Sequence, residues 1–205
     1  MEGFYYRLVE VPGDGNCLFH SLAEIPNSQF NSQKKVREAI VSYVFNGKAG
    51  TCKLEEKHRK ILIDATEKDK QMTLEAWANN IRKDGCWGQP WEAAIFAVML
   101  GIEIKILTNL PSGWNPISMK ETIIFNKAKE LLSLIPKDCP TFYLLHHKLY
   151  AAGEPGDPRN FNHYSYLKEV FKSDIPSHAK VISVSNISSP RKTTEDLQMP
   201  ALPLL

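Results

Sequence analysis

Apolar residues along the chain recur with two different periods, and each change of period marks the start of a new element. The run Phe4-Tyr5-Tyr6-Arg7-Leu8-Val9-Glu10-Val11 predicts a strand that stops at Pro12. Past the loop Gly13-Asp14-Gly15-Asn16, residues Cys17, Leu18, Phe19, Leu22 and Ala23 take on helical character. Asn31 or Ser32 suits the cap of a second helix, with Val36, Ile40, Tyr43 and Val44 on one face and an end near Asn46-Gly47. Residues 51–70 are charged, and their weaker stripe of Leu54, Ile61, Leu62 and Ala65 predicts an exposed helix or a mobile lid. Leu74, Trp77 and Ile81 give the next helix, closed by Lys83-Asp84-Gly85.

Pro90 fits the first turn of a further helix. Its body, Glu92 to Leu100, is apolar nearly all round and is expected to be deeply buried. Gly101 ends it, and Ile102 to Leu107 alternates as a half-buried strand does. Residues 111–116 read as a turn-rich connection, Thr122 to Phe125 as a short strand and Ala128 to Leu134 as a helix. Thr141 to His146 predicts a strand. A polar loop with Gly153, Pro155, Gly156 and Pro158 then leads to Asn162-His163-Tyr164-Ser165-Tyr166-Leu167, the returning strand of a hairpin. Beyond about Ser173, serine and proline dominate. Val181 to Val184 suits one more strand, and most of the remainder reads as disordered tail. The expected division is a domain over 1–172 and a tail over 173–205.

Composition narrows the class. Of 205 residues, 43% are hydrophobic and 10% aromatic, enough for a substantial core. Net charge is +2, from 25 basic and 23 acidic residues, with no run of five like charges, so neither nucleic acid nor a membrane surface is indicated as partner. The longest apolar run, Ala93 to Ile102, is about half of what a membrane span needs. Met1-Glu2-Gly3-Phe4 lacks the charged and apolar regions of a signal peptide. Cys17, Cys52, Cys86 and Cys139 are widely spaced and form no CxxC pair. Neither Cys52 with His58 nor Cys139 with His146 and His147 matches zinc spacing. Reduced thiols, a cytoplasmic monomer and no metal or cofactor are the expectation.

The chemistry centres on Cys17. Glycines 13 and 15 permit sharp turning with positive φ, which would set Cys17 at the first turn of a helix. Unpaired N–H groups and the macrodipole there favour a thiolate and lower its pKa. N–H groups of Cys17 and of the Asp14-Gly15-Asn16 loop are suited to an oxyanion. The plainer alternative is a small buried cysteine at a turn. A thiol nucleophile needs an imidazole within reach. His20 lies along the same helix but off to the side, His58 and His178 lie in charged or tail-like segments, and His146, His147 and His163 remain.

Gly13-Asp14-Gly15-Asn16-Cys17-Leu18-Phe19 resembles the nucleophile motif of the ovarian tumour (OTU) cysteine proteases, papain-like deubiquitinases. Trp87-Gly88 through Leu107 resembles that family's Trp-Gly, buried helix and strand, although Gln89, Pro90 and Trp91 replace its usual second glycine and acidic residue. Asn162-His163-Tyr164 resembles its C-terminal motif. The resemblance spans about residues 4–170. It implies an α/β papain-like OTU fold, a small central sheet flanked by helices, with a cleft between Cys17 and His163. It also implies Cys17 as nucleophile, His163 as general base and Asp14 as the residue shaping the oxyanion loop, beside its plain reading as a turn former. The implied reaction is hydrolysis of an isopeptide or peptide bond at the C-terminal Gly-Gly of ubiquitin or polyubiquitin, with Trp87 or Trp91 in the cleft wall. Where many members carry Asp or Asn to orient the imidazole, this chain has Ser165. Glu10, Asn160 and Asn162 are the other candidates. A silent ubiquitin-binding module and a hydrolase for a ubiquitin-like modifier remain as rivals.

Overall fold

The computed structural model describes residues 5–26, 28–110, 113–147, 163–170 and 181–183. In chain order the elements are β1 Tyr5–Val9, α1 Cys17–Ala23, α2 Gln33–Asn46, β2 Lys48–Ala49, β3 Cys52–Lys53, α3 Glu56–Lys70, α4 Leu74–Arg82 and α5 Pro90–Leu100. There follow β4 Glu103–Leu110, β5 Gly113–Ser118, α6 Met119–Phe125, a 3₁₀ turn Lys129–Leu134, β6 Thr141–His147, β7 His163–Val170 and β8 Val181–Ser183. Six strands form one sheet in the order β5-β4-β6-β7-β1-β8. Among the described residues only the β4–β6 pair is parallel. β7 therefore runs near the middle, antiparallel to β6 on one side and to β1 on the other.

Pleat alternation divides the core. Ile104, Ile106, Leu144, Tyr164 and Tyr166 face the helices and merge with their buried side chains, among them Phe19, Ile40, Leu62, Trp77 and Phe96. Tyr6, Leu107, Leu145 and Leu167 form a smaller cluster. α5 is buried from Trp91 to Met99 as its sequence predicts. Its one charged residue, Glu92, is 1% exposed and fully engaged. It meets Lys70 Nζ at 3.0 Å, Trp77 Nε1 at 3.0 Å and the Gln89 N–H at 2.8 Å. Those partners offset the cost of removing a carboxylate from water.

Three expectations are corrected. The stretch expected to be only a turn-rich connection contains β5, which pairs with β4 and sets Pro116 opposite Leu107. β5 is an edge strand, where a missing N–H can be tolerated. Thr122 to Phe125 is helical, not a strand. Ser118 caps α6 by accepting from the Lys120 N–H at 3.1 Å, and Met119 and Ile123, four residues apart, share its buried face. The charged stretch expected over 51–70 as an exposed helix or a lid does carry a helix, α3, but one with a buried face of His58, Leu62, Ala65 and Thr66. The short β2–β3 hairpin before it was not anticipated. β8 pairs with β1 as the extra strand expected near Val181. The polar loop at 153–158 and the rest of the tail lie outside the described residues. No helix among the described residues is long and apolar enough to cross a membrane.

Candidate active site

Cys17 is the first residue of α1, as the loop glycines suggest. Gly15 takes the positive φ, +83°, and Gly13 does not. Gly15 also lies so close to the 83–86 turn that a Cβ would collide with the Gly85 carbonyl oxygen, so glycine is required there twice over. Gly88 faces α1 in a similar way, and a Cβ would stand 2.6 Å from Leu18 Cδ2 and 2.8 Å from the Phe19 ring. Both close approaches press the loop before Cys17 and the start of α1 against the segment leading to α5.

α1 packs on β7, whose first residue is His163. The backbone N–H of Tyr164, the next residue, donates to the Cys17 sulfur, as does that of Leu18. The start of β7 and the head of α1 thus meet at the sulfur. His163 is 2% exposed and Ser165 is fully buried, two residues further along the same strand. Glu10 follows β1 and is exposed. Asn160 and Asn162 lie outside the described residues. His146 stacks on Tyr164, ring centroids 4.3 Å apart and planes 12° apart.

The thiol is not lowered as the sequence suggests. Burial pushes Cys17 upward, and this outweighs the backbone N–H groups that favour the thiolate. The helix terminus supplies the Leu18 N–H, but the Tyr164 N–H comes from β7, and desolvation dominates both at 8% exposure. The Asp14-Gly15-Asn16 loop has fewer open N–H groups than its sequence suggests. Asp14 Oδ1 accepts the Asn16 N–H at 2.9 Å, so that donor is already used. Asp14 Oδ2 lies 3.2 Å from His20 Nε2, which gives His20 a place away from the sulfur. Partial burial raises the Asp14 carboxyl, but the hydrogen bonds from Asn16 and His20 exceed it and hold the group below its ordinary value.

Two side chains escaped the sequence reading. Arg37, on α2, is 2% exposed and reaches Asn16, whose side chain is also buried. An arginine beside an apolar helix face reads as solvent-directed, and nothing local marks this one as internal. Trp91 is buried, with Nε1 donating to Thr66 at 3.1 Å, so it is core and not cleft wall. Trp87 is 60% exposed. All four cysteines are free thiols, and among the described residues no group of His, Cys, Asp and Glu gathers to hold a metal ion.

Comparison with known proteins agrees with this arrangement. The family model of OTU-like cysteine proteases matches residues 12–152. Over 106 residues, 51% of this chain, the sequence is 30% identical to the RNA-directed RNA polymerase L of Crimean-Congo hemorrhagic fever virus, and the match spans 2% of that protein's length. An ovarian tumour (OTU) domain solved in complex with ubiquitin superposes with a TM-score of 0.53 at 14% identity, covering 91% of this chain and 86% of the other. The viral OTU protease domain of Qalyub virus does so with a TM-score of 0.51 at 15% identity, covering 81% and 85%. Helices on a mixed sheet, a cysteine at the head of α1 and a match running through both belong together: the chain is a member of the OTU-like cysteine protease family, with its papain-like fold.

Proposed function

We propose that the protein is a deubiquitinase, with Cys17 as nucleophile and His163 as general base. The observation that carries this is the meeting of the motif cysteine with the start of β7, where the Tyr164 N–H touches the sulfur. The choice of ubiquitin draws on the OTU domain of similar fold solved with ubiquitin bound.

The chemistry follows from these groups. His163 takes the thiol proton as the Cys17 sulfur attacks the carbonyl carbon of ubiquitin's last glycine. Negative charge develops on the carbonyl oxygen beside the N–H donors of the α1 first turn. Collapse breaks the C–N bond, and the imidazolium returns its proton to the departing lysine amine. Water, deprotonated by His163, then attacks the thioester, releasing ubiquitin's carboxylate and restoring the thiol. Asp14 braces the loop through the Asn16 N–H.

A second reading has one observation in its favour: burial holds the Cys17 thiol up, as in a domain that binds ubiquitin and cleaves it slowly or not at all. A ubiquitin probe with a C-terminal electrophile separates the two. Labelling that disappears in Cys17→Ala supports the protease. Saturable binding without labelling supports the module, and labelling only by a probe built on another modifier redirects the substrate assignment.

A further inference from the structure

Asn16 immediately precedes Cys17 at the N-cap of α1, where an asparagine side chain ordinarily turns back to accept a first-turn N–H. Here it makes no such cap. Its Oδ1 accepts instead from Arg37 Nη2 at 2.6 Å and from the Gly85 N–H at 2.9 Å. Arg37 is matched on every side: Nη1 donates to the Ile81 carbonyl at 2.7 Å, Nη2 also to the Cys86 carbonyl, and Nε to Gln33 Oε1 at 3.0 Å. Its guanidinium lies 3.8 Å over the Phe19 ring. One cation therefore joins α1, α2, the end of α4 and the turn before Trp87.

Stability alone is a poor reason for such a group. Burying an arginine is costly even when paired, and an apolar residue of similar volume often packs as well. What an apolar residue cannot do is draw the Asn16 carbonyl away from α1. Released, that oxygen would reach the N–H groups that face the Cys17 sulfur once ψ of Asn16, now 6°, turned to the extended value of a capping residue, so the pull on the side chain also holds the backbone out of the capping conformation. The Asn16 N–H is meanwhile held by Asp14, so the residue is fixed at both ends.

We infer that Arg37 is a positioning residue: through Asn16 it keeps the first-turn N–H groups of α1 open for the Cys17 sulfur and for the oxyanion that forms beside it. The inference rests on the proteolytic reading of Cys17, and its test separates the two.

The test compares wild type, Arg37→Met and Arg37→Met/Asn16→Ala by hydrolysis of a fluorogenic ubiquitin C-terminal amide, by the pH profile of Cys17 alkylation with iodoacetamide, and by melting temperature. Arg37→Met keeps packing over Phe19 and removes every donor. The expected result is a fall in kcat of about tenfold or more with KM within about twofold, and an alkylation midpoint about half a pH unit higher. Adding Asn16→Ala removes the competing acceptor, so it restores at least about threefold of the lost kcat and moves the midpoint back. A lost positive charge alone would show no such recovery. Arg37→Lys, which cannot reach all the acceptors at once, shifts the same quantities less and serves if Arg37→Met does not fold. The inference is overturned if Arg37→Met lowers only the melting temperature, or if the double variant is no better than the single one. Should wild type fail to cleave the ubiquitin amide, the deubiquitinase reading falls and the alkylation profiles alone decide the role of Arg37.

Discussion

The N–H of Tyr164 donates to the sulfur of Cys17, joining the second residue of a central strand to the first residue of a helix. Neither residue carries information about the other in its local sequence. The contact exists because β7 lies between β6 and β1 and α1 lies across it. It fixes the backbone position of the preceding residue, His163, beside the head of α1.

Burial holds the Cys17 thiol above its ordinary value, so the free protein should carry a neutral thiol at pH 7. Alkylation by iodoacetamide should climb about tenfold per pH unit from pH 7 to 9 without levelling. A plateau beginning below pH 7 would show instead that the thiolate and imidazolium exist before substrate binds.

Ser165 is fully buried on the same strand as His163, whereas Glu10 is exposed. Ser165→Ala should therefore lower kcat about 5- to 10-fold, the size of one neutral hydrogen bond. Glu10→Gln should stay within about twofold. Steady-state kinetics on a ubiquitin amide make the comparison, and the opposite ranking would give the orienting role to Glu10.

Gly15→Ala places a methyl group against the Gly85 carbonyl in a backbone conformation that alanine disfavours. It should cost about 1–3 kcal/mol of stability. The loop must move to relieve the collision, so kcat should drop more than the loss of folded protein explains. Melting curves and active-site titration, measured together, distinguish the two losses.

Glu92→Ala removes the acceptor for Lys70, Trp77 and the Gln89 N–H at once. Breaking a buried pair from one side typically costs about 3–5 kcal/mol. For a chain of this size the expected fall in melting temperature is about 10 °C. A change under 2 °C by calorimetry would mean that Lys70 finds water.

Burial pushes Tyr6, Tyr43 and Tyr166 up to about 12. Their folded values lie above the unfolded value of about 10. The stability they contribute is thus complete below pH 10 and is lost as pH rises toward 12. Tyrosinate absorbance and loss of near-UV circular dichroism should rise together across that window. Ionisation centred near pH 10 with the fold intact would contradict the burial.

Much of the fold is legible locally because its elements carry their own punctuation. Ser32 accepts from the Lys35 N–H at the start of α2, Pro90 opens α5, and the apolar girth of α5 could only be core. Misreadings fall where a local signal has two solutions. Thr122-Ile123-Ile124 is β-branched and strand-like, yet the Ser118 cap and the Met119–Ile123 spacing make it helical. The 111–116 stretch is rich in turn formers, yet an edge strand accepts a proline that a central one would reject.

The sequence by itself determined that a cysteine stands behind a glycine turn at the head of a helix, and that a histidine opens a strand far downstream. Those are short-range facts, set by backbone sterics and by the period of apolar residues. Only the tertiary structure decided the state of that cysteine and what braces it. Desolvation of Cys17 depends on everything packed around it. The reach of Arg37 to Asn16, Ile81 and Cys86 depends on three separate segments arriving together. A buried cation and a raised thiol are properties of the assembled interior, and no window along the chain contains them.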